Sequence, residues 1–468
     1  MSRYILFIVL ALCTTVYGQT SEKYNSEYAE FYRGEELFQK EQYGAARKTF
    51  RVFLDDFDKK NDPFYVKASY YEAISALELY NNDAITLLEA FNKNYPESIY
   101  KMDIYFRLGK FHFYKKKYED AIVWFNKLSS SDLEEEDLEE FYFKLGYSYF
   151  KEEQLNNARD AFYEAKDGTT QYAKPSLYYY SHIAYQYRQY ETALEGFLKL
   201  EEDEKFGKVV IYYIAQIYYL EGQYEKVTEY ASRLSNNNNV VNEQDLNHLI
   251  GDAYYRIGEY NKAVPYLEDY NRAAQTTRDE DYTLGYAYYK SGRCEKSIRL
   301  FDRVTKVPDS LGQVAYYHIA ECMLQANEKE SARSAFEKAA FIDANDIIQE
   351  DALFNYAILS YQLDINPYGE AVEAFEMYLN KYPNSDRRDD VYQYLVNVYT
   401  STNNYAKALT SLDKIPNKDV KLKTAYQLVA FNQGVDRYQK NNFVGAIKSF
   451  DLVKRYPVDT QISGKAAY

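Results

Sequence analysis

Four histidines, His112, His182, His248 and His318, are the side chains of this sequence best suited to proton transfer or metal ligation near neutral pH. A zinc site on one helix would need two of them four residues apart with a glutamate after the first, as in HExxH. The four are spread far along the chain and no such pairing occurs, so polar surface or groove positions are the expected role. No G-x-x-x-x-G-K-[ST] phosphate loop, G-x-S-x-G nucleophile turn or G-x-G-x-x-G dinucleotide fingerprint is present. Acid pairs are numerous, but among 71 Asp and Glu they arise by chance and say nothing about general acid–base work. Neither a catalytic group, a metal nor a cofactor is expected, and the chain reads as a non-enzyme. What remains is aromatic: 56 tyrosines against one tryptophan, Trp124. Tyrosine binds through a broad ring and a polar tip.

The elements that must position these rings are helices. A 46% hydrophobic content supports a folded core, and 468 residues would ordinarily divide into about three domains. With 9 Pro, 18 Gly and no sustained apolar–polar alternation between tight turns, strands are not expected. The formal charge of −15 argues against a phosphate-binding surface, so no nucleic-acid partner is expected. At the N-terminus, MSRYILFIVLALCTTVYGQT places Arg3 before an apolar run and ends on Val16-Tyr17-Gly18. That layout predicts a signal peptide over residues 1–18, cut before Gln19. The run falls short of the roughly 18 apolar residues that span a bilayer. Lipid attachment at Cys13 would want a small residue before it, where Leu12 stands. No later segment is apolar and long enough to cross a membrane, so an exported chain with no transmembrane segment after cleavage is expected.

A twelve-residue spacing from glycine to alanine recurs at Gly34 and Ala46, Gly109 and Ala121, Gly146 and Ala158, Gly251 and Ala263, and Gly434 and Ala446. Four residues after each alanine comes Phe50, Phe125, Phe162, Leu267 or Phe450. Weaker copies are Glu72 with Ala84, Ser181 with Ala193, Ala215 with Val227, Gly285 with Ser297, Ala320 with Ala332 and Val396 with Ala408. Ala357 with Ala371 completes the set after a two-residue insertion. Twelve units follow at intervals of 34 to 39 residues. Leu145-Gly146, Tyr149, Ala158 and Phe162, like Leu108-Gly109, Ala121 and Phe125, resemble the tetratricopeptide repeat signature. Pro96, Pro308, Pro383 and Pro457 fall where a second helix should stop.

The resemblance implies an all-α, tetratricopeptide-type helical-hairpin solenoid, a right-handed superhelix of about twelve repeats. It would occupy residues 19–458, with 459–468 opening a further repeat that is cut short, as in a piece of a longer array. Glycine and alanine should mark the closest approach of the paired helices, and the following aromatic should reach the next unit, so that burial accumulates along the array. The acidic run Ser129 to Glu140 is expected at a helix start, where it complements the dipole. Ser235 to Asp245 is expected as the longest connector. Cys294 and Cys322 should lie near one edge of the solenoid. Export would permit a disulfide, but two buried thiols are the expected state.

In the family, positions three before and four after the glycine line the concave face, and their seven-residue separation keeps them on one helix side. Carried onto this sequence, that gives Phe31 and Phe38, Phe106 and Phe113, Phe143 and Phe150, Tyr178 and Tyr185, Tyr212 and Tyr219. It continues with His248 and Tyr255, Tyr282 and Tyr289, Tyr317 and Leu324, Phe354 and Tyr361, Phe431 and Tyr438, and breaks at Gln393 and Thr400. Such a stripe either packs between neighbouring first helices or also receives a ligand; the two roles are compatible. Family members that grip a peptide carboxylate place Lys three before the glycine, and no unit here does. The expected partner is therefore a peptide or protein segment held by aromatic contacts. The implied setting resembles bacterial envelope proteins: a periplasmic or outer-membrane-associated scaffold, with association with envelope complexes as the expectation. A glycan-binding module is the alternative, disfavoured by the single tryptophan.

Overall fold

A computed structural model of the protein describes residues 26–231, 241–363, 369–401 and 403–468. The expected signal peptide, Cys13 and most of the Ser235 to Asp245 connector lie outside these residues. The described residues form two compact units, one ending at Ile214 and one beginning at Ala215. They contain 25 α-helices, one 3-10 turn at Ser130–Asp132, and no strand.

In the first unit the hairpins are α1 (Ala29–Gln39) with α2 (Tyr43–Asp56), α3 (Pro63–Glu78) with α4 (Ala84–Asn94), and α5 (Lys101–Tyr114) with α6 (Tyr118–Phe125). They continue with α7 (Glu135–Lys151) and α8 (Leu155–Ala165), then α9 (Ala173–Gln186) and α10 (Tyr190–Leu200). Helix α11 (Gly207–Leu220) holds the division between the units and pairs in sequence with α12 (Tyr224–Glu229). The second unit adds α13 (Glu243–Arg256) and α14 (Tyr260–Ala273), α15 (Arg278–Lys290) and α16 (Cys294–Val304), α17 (Ser310–Gln325) and α18 (Lys329–Ala340). It ends with α19 (Asp346–Gln362) and α20 (Glu370–Lys381), α21 (Arg388–Ser401) and α22 (Tyr405–Lys414), α23 (Val420–Gln439) and α24 (Phe443–Val453), and lastly α25 (Thr460–Ala467). These twelve hairpins and the extra helix coincide with the twelve units read from the glycine–alanine spacing. The acids of the Ser129 to Glu140 run fill the first turn of α7, with Glu135, Glu136 and Asp137 at its positive end.

Glycine in a first helix costs roughly 1 kcal/mol of helix propensity, and the structure shows what offsets it. A Cβ placed on Gly146 would sit 2.9 Å from Cδ1 of Phe162, and one on Gly34 would sit 2.7 Å from Cε1 of Phe50. The expectation that glycine serves backbone crossing is thus corrected in one respect. The space is filled by the ring four residues after the alanine, folded onto its own hairpin. The other face of that ring meets the next first helix: Phe162 stacks on Tyr179 at 5.3 Å, Phe50 on Tyr71 at 5.5 Å, and Phe375 on Tyr394 at 5.5 Å. The helices do run close beside this point, since Ser297 Oγ donates to the Gly285 carbonyl at 2.7 Å. In the α9–α10 hairpin the glycine has changed helices. Ser181 occupies the first-helix position, donating to the Leu177 carbonyl at 2.8 Å, and a Cβ on the facing Gly196 would collide with its Oγ.

Most first helices end on a left-handed residue, usually seven after the glycine position. Gly222, Gly258 and Gly292 supply it with φ of 74°, 82° and 72°, while Glu41, Lys116, Glu153 and Arg188 adopt φ of 57° to 59° despite their side chains. That conformation costs an L-residue about 1–2 kcal/mol. Gly258→Ala, with open space around its Cβ, should therefore lower the stability of the α13–α14 hairpin by about 1 kcal/mol. Gly44→Ala, in open space within α2, should instead raise stability by about 0.5–1 kcal/mol. Chemical denaturation of the two variants beside the parent checks both signs.

The two cysteines correct a further expectation. Cys294 and Cys322 are joined in a disulfide with their Cα atoms 5.4 Å apart, so they are not two thiols, and only Cys322 is fully buried.

Candidate partner-binding face

The stripe residues divide by depth. Phe31 and Phe106 are 1% and 4% exposed and belong to the core of their hairpins. Phe143, Tyr178, Tyr212, His248, Tyr282, Tyr317 and Phe354 are half-buried. Several of these rest on the ring four residues after the alanine position: Phe143 on Phe162 at 6.2 Å, Tyr178 on Phe197 at 6.3 Å, Tyr282 on Phe301 at 5.6 Å and Tyr317 on Phe336 at 5.4 Å. His248 instead stacks on Tyr270 at 4.4 Å, and Phe354 lies 5.7 Å from Tyr378. The positions four after the glycine, Phe113, Phe150, Tyr185, Tyr219, Tyr255, Tyr289 and Tyr361, are also half-buried, whereas Leu324 and Tyr438 are exposed.

In the first unit these rings link from hairpin to hairpin through partners that the seven-residue pairing does not identify. Phe113 meets Tyr147 at 5.7 Å, Tyr147 meets Tyr179 at 5.3 Å, and Tyr179 meets Phe150 at 5.0 Å. His182 then sits between Phe150 at 6.1 Å and Tyr213 at 5.4 Å, and Tyr213 meets Tyr185 at 5.2 Å. The result is an unbroken aromatic ladder across α5, α7, α9 and α11. Tyr147 and His182 stand just after the glycine position, and Tyr179 and Tyr213 two before it. Their recurrence in the sequence was the available signal. The second unit holds a comparable cluster around Tyr286, with Tyr255 at 5.8 Å, Tyr282 at 6.0 Å, Tyr289 at 5.8 Å and His318 at 5.1 Å.

The ladder is electrically quiet. Burial pushes the Tyr178 and Tyr185 hydroxyls up to about 12, and Tyr179 higher, so each is a neutral O–H at physiological pH. Burial also lowers His182, keeping its imidazole uncharged. At one edge, Lys144 reaches Glu140 at 3.0 Å and the Tyr114 hydroxyl at 2.8 Å, with its ammonium 4.8 Å from the Phe113 ring. Lys110 holds the same carboxylate at 2.9 Å. Burial works against ionisation of Glu140, but the hydrogen bonds and charges of the two lysines outweigh it and hold the carboxyl below its usual range. In the second unit, hydroxyl tips are tied to acids of the following hairpin. Tyr317 donates to Asp351 at 2.5 Å, and Tyr219 shares Asp252 with Arg256, whose Nε donates to the Tyr219 oxygen at 3.0 Å.

Tetratricopeptide repeat models match residues 103–134, 244–276, 282–347 and 351–385. This chain carries tetratricopeptide repeats. Matched segments fall in both compact units, and the α7–α8 hairpin between two of them has the glycine notch and covering ring, Gly146 and Phe162. No curated protein matches the chain by sequence. Among solved structures, the C-terminal part of a tetratricopeptide repeat-containing protein from Cytophaga hutchinsonii is 18% identical over 61% of this chain and 98% of that one, with a TM-score of 0.29. A tetratricopeptide repeat protein from Parabacteroides merdae is 13% identical over 55% of this chain and 98% of that one, at 0.30. YrrB, described as a tetratricopeptide repeat protein with an unusual peptide-binding site, is 17% identical over 43% of this chain and 100% of that one, at 0.34. Among the described residues no cluster of His, Cys, Asp and Glu is arranged to hold a metal ion, and no helix is long and apolar enough to cross a membrane.

Proposed function

We propose that this protein is a non-catalytic scaffold of the bacterial cell envelope that binds a peptide or protein segment along the aromatic faces of its first helices. The observation that carries the reading is the ladder from Phe113 to Tyr213, whose rings are neutral and half-buried on consecutive hairpins. Rings held in place by their neighbours offer contact area at little entropic cost, and tyrosine adds a hydroxyl for backbone groups of a bound chain. Tetratricopeptide arrays stack hairpins into extended surfaces of this kind. Lys110 and Lys144 share one carboxylate, which favours aromatic capture over a cationic clamp for a terminal carboxylate. Export is supported by the short apolar leader at residues 1–18 and by the Cys294–Cys322 bond, since such bonds persist in oxidising compartments.

A photo-crosslinking residue at position 150 would capture the bound segment in cells, and a peptide copied from that segment would then be titrated. The combined variant Phe113→Leu, Phe150→Leu, Tyr185→Leu keeps apolar side chains and removes three ring faces. It should bind the peptide more weakly by at least about 2 kcal/mol while its circular dichroism matches the parent. If stability falls and the folded variant binds with unchanged affinity, the rings serve packing alone and the reading fails.

A further inference from the structure

Nine residues after the glycine position, six hairpins place a tyrosine: Tyr43, Tyr118, Tyr190, Tyr224, Tyr260 and Tyr405. In three of the six, this ring ties its hairpin to the next. Tyr118 meets Tyr147 at 5.8 Å, Tyr260 meets Tyr286 at 5.7 Å, and Tyr224 lies beneath the Arg256 guanidinium at 5.4 Å. In the α15–α16 hairpin the same position is Cys294, and it is bonded to Cys322 on the first helix of the following hairpin. A covalent link stands where these three joints use an aromatic one.

We propose that the Cys294–Cys322 bond is a redox-sensitive joint between the α15–α16 and α17–α18 hairpins, whose reduction by a dithiol loosens this joint and leaves the hairpins folded. Cys294 is half-buried at the start of α16, so its sulfur can be approached, whereas Cys322 is enclosed. In the reduction two electrons pass from the dithiol: the Sγ–Sγ bond breaks, two thiols form, and the dithiol closes to its own disulfide. What then remains across the joint includes Phe301 stacked on His318 at 5.8 Å, Tyr289 on His318 at 4.8 Å, and the two-pronged Arg278–Asp309 pair at 2.7 Å. No ring replaces the lost link. Because repeat arrays distribute stability over hairpins and the interfaces between neighbours, the effect stays local. The inference does not depend on the binding role of the ladder.

Hydrogen exchange of the full chain with and without dithiothreitol tests it. Reduction should speed exchange in α16 and α17 by roughly tenfold or more and leave α23 and α24 unchanged. Cys294→Ser should exchange like the reduced parent in either condition. Cys294→Tyr combined with Cys322→Ala, which restores the ring used elsewhere, should ignore the reductant and approach the oxidised parent. Equal exchange of the oxidised and reduced parent would overturn the proposal, as would finding both cysteines free when the protein is alkylated during extraction from cells.

Discussion

Phe162→Ala should destabilise the α7–α8 hairpin and its joint to α9 by about 3–5 kcal/mol, the cost of removing a fully buried ring. Phe162 has no exposed surface, fills the notch above Gly146, touches Phe143 at 6.2 Å and stacks on Tyr179 at 5.3 Å. One truncation therefore empties the hairpin interior and removes the base on which the next first helix rests. Hydrogen exchange should show α7 to α9 opening before other helices, and the denaturation midpoint should fall. Phe341→Ala is the matched control, because that ring is 56% exposed and its loss should change stability by no more than about 0.5 kcal/mol. Equal effects of the two substitutions would show that Phe162 is not the keystone of its hairpin.

Gly146→Leu should cost about 1–3 kcal/mol, as overpacking commonly does. The helix itself should tolerate leucine, which has the better propensity, so a loss of stability reports the tertiary contact. A first added carbon already lies 2.9 Å from the Phe162 ring, which is enclosed on its other face by Tyr179 and has little room to yield. Combined with Phe162→Ala, the penalty should be less than the sum of the two, because leucine then occupies space the ring has left; coupling of about 0.5–3 kcal/mol is usual for residues in contact. Additive effects, or a Gly146→Leu midpoint equal to the parent, would place the ring elsewhere.

Both predictions concern contacts that were largely readable beforehand. Gly146, Ala158 and Phe162 lie within one hairpin, sixteen residues from end to end, and two antiparallel helices joined by a tight turn bring such positions together wherever the pattern recurs. The twelve units followed from that local periodicity, the all-helical architecture from composition and the repeat resemblance, and the helix-start role of the Ser129 to Glu140 acids from their fit to a helix dipole. What happens between hairpins did not, because it depends on how far each pair is rotated against the next and which rotamer each ring adopts. Phe106 and Tyr282 occupy the same place in the repeat, yet the first is core and the second half-buried. The ladder needed Tyr147, Tyr179 and Tyr213, which share no seven-residue spacing with the stripe and meet it only across a joint. Cys294 and Cys322 are 28 residues apart in different hairpins, and only the packing of α16 against α17 brings their Cα atoms to 5.4 Å, within reach of a disulfide. Sequence spacing determines contacts within a helix pair because the helix is rigid and the turn short; contacts between pairs are decided by the tertiary structure, where small rotations move a side chain from core to surface.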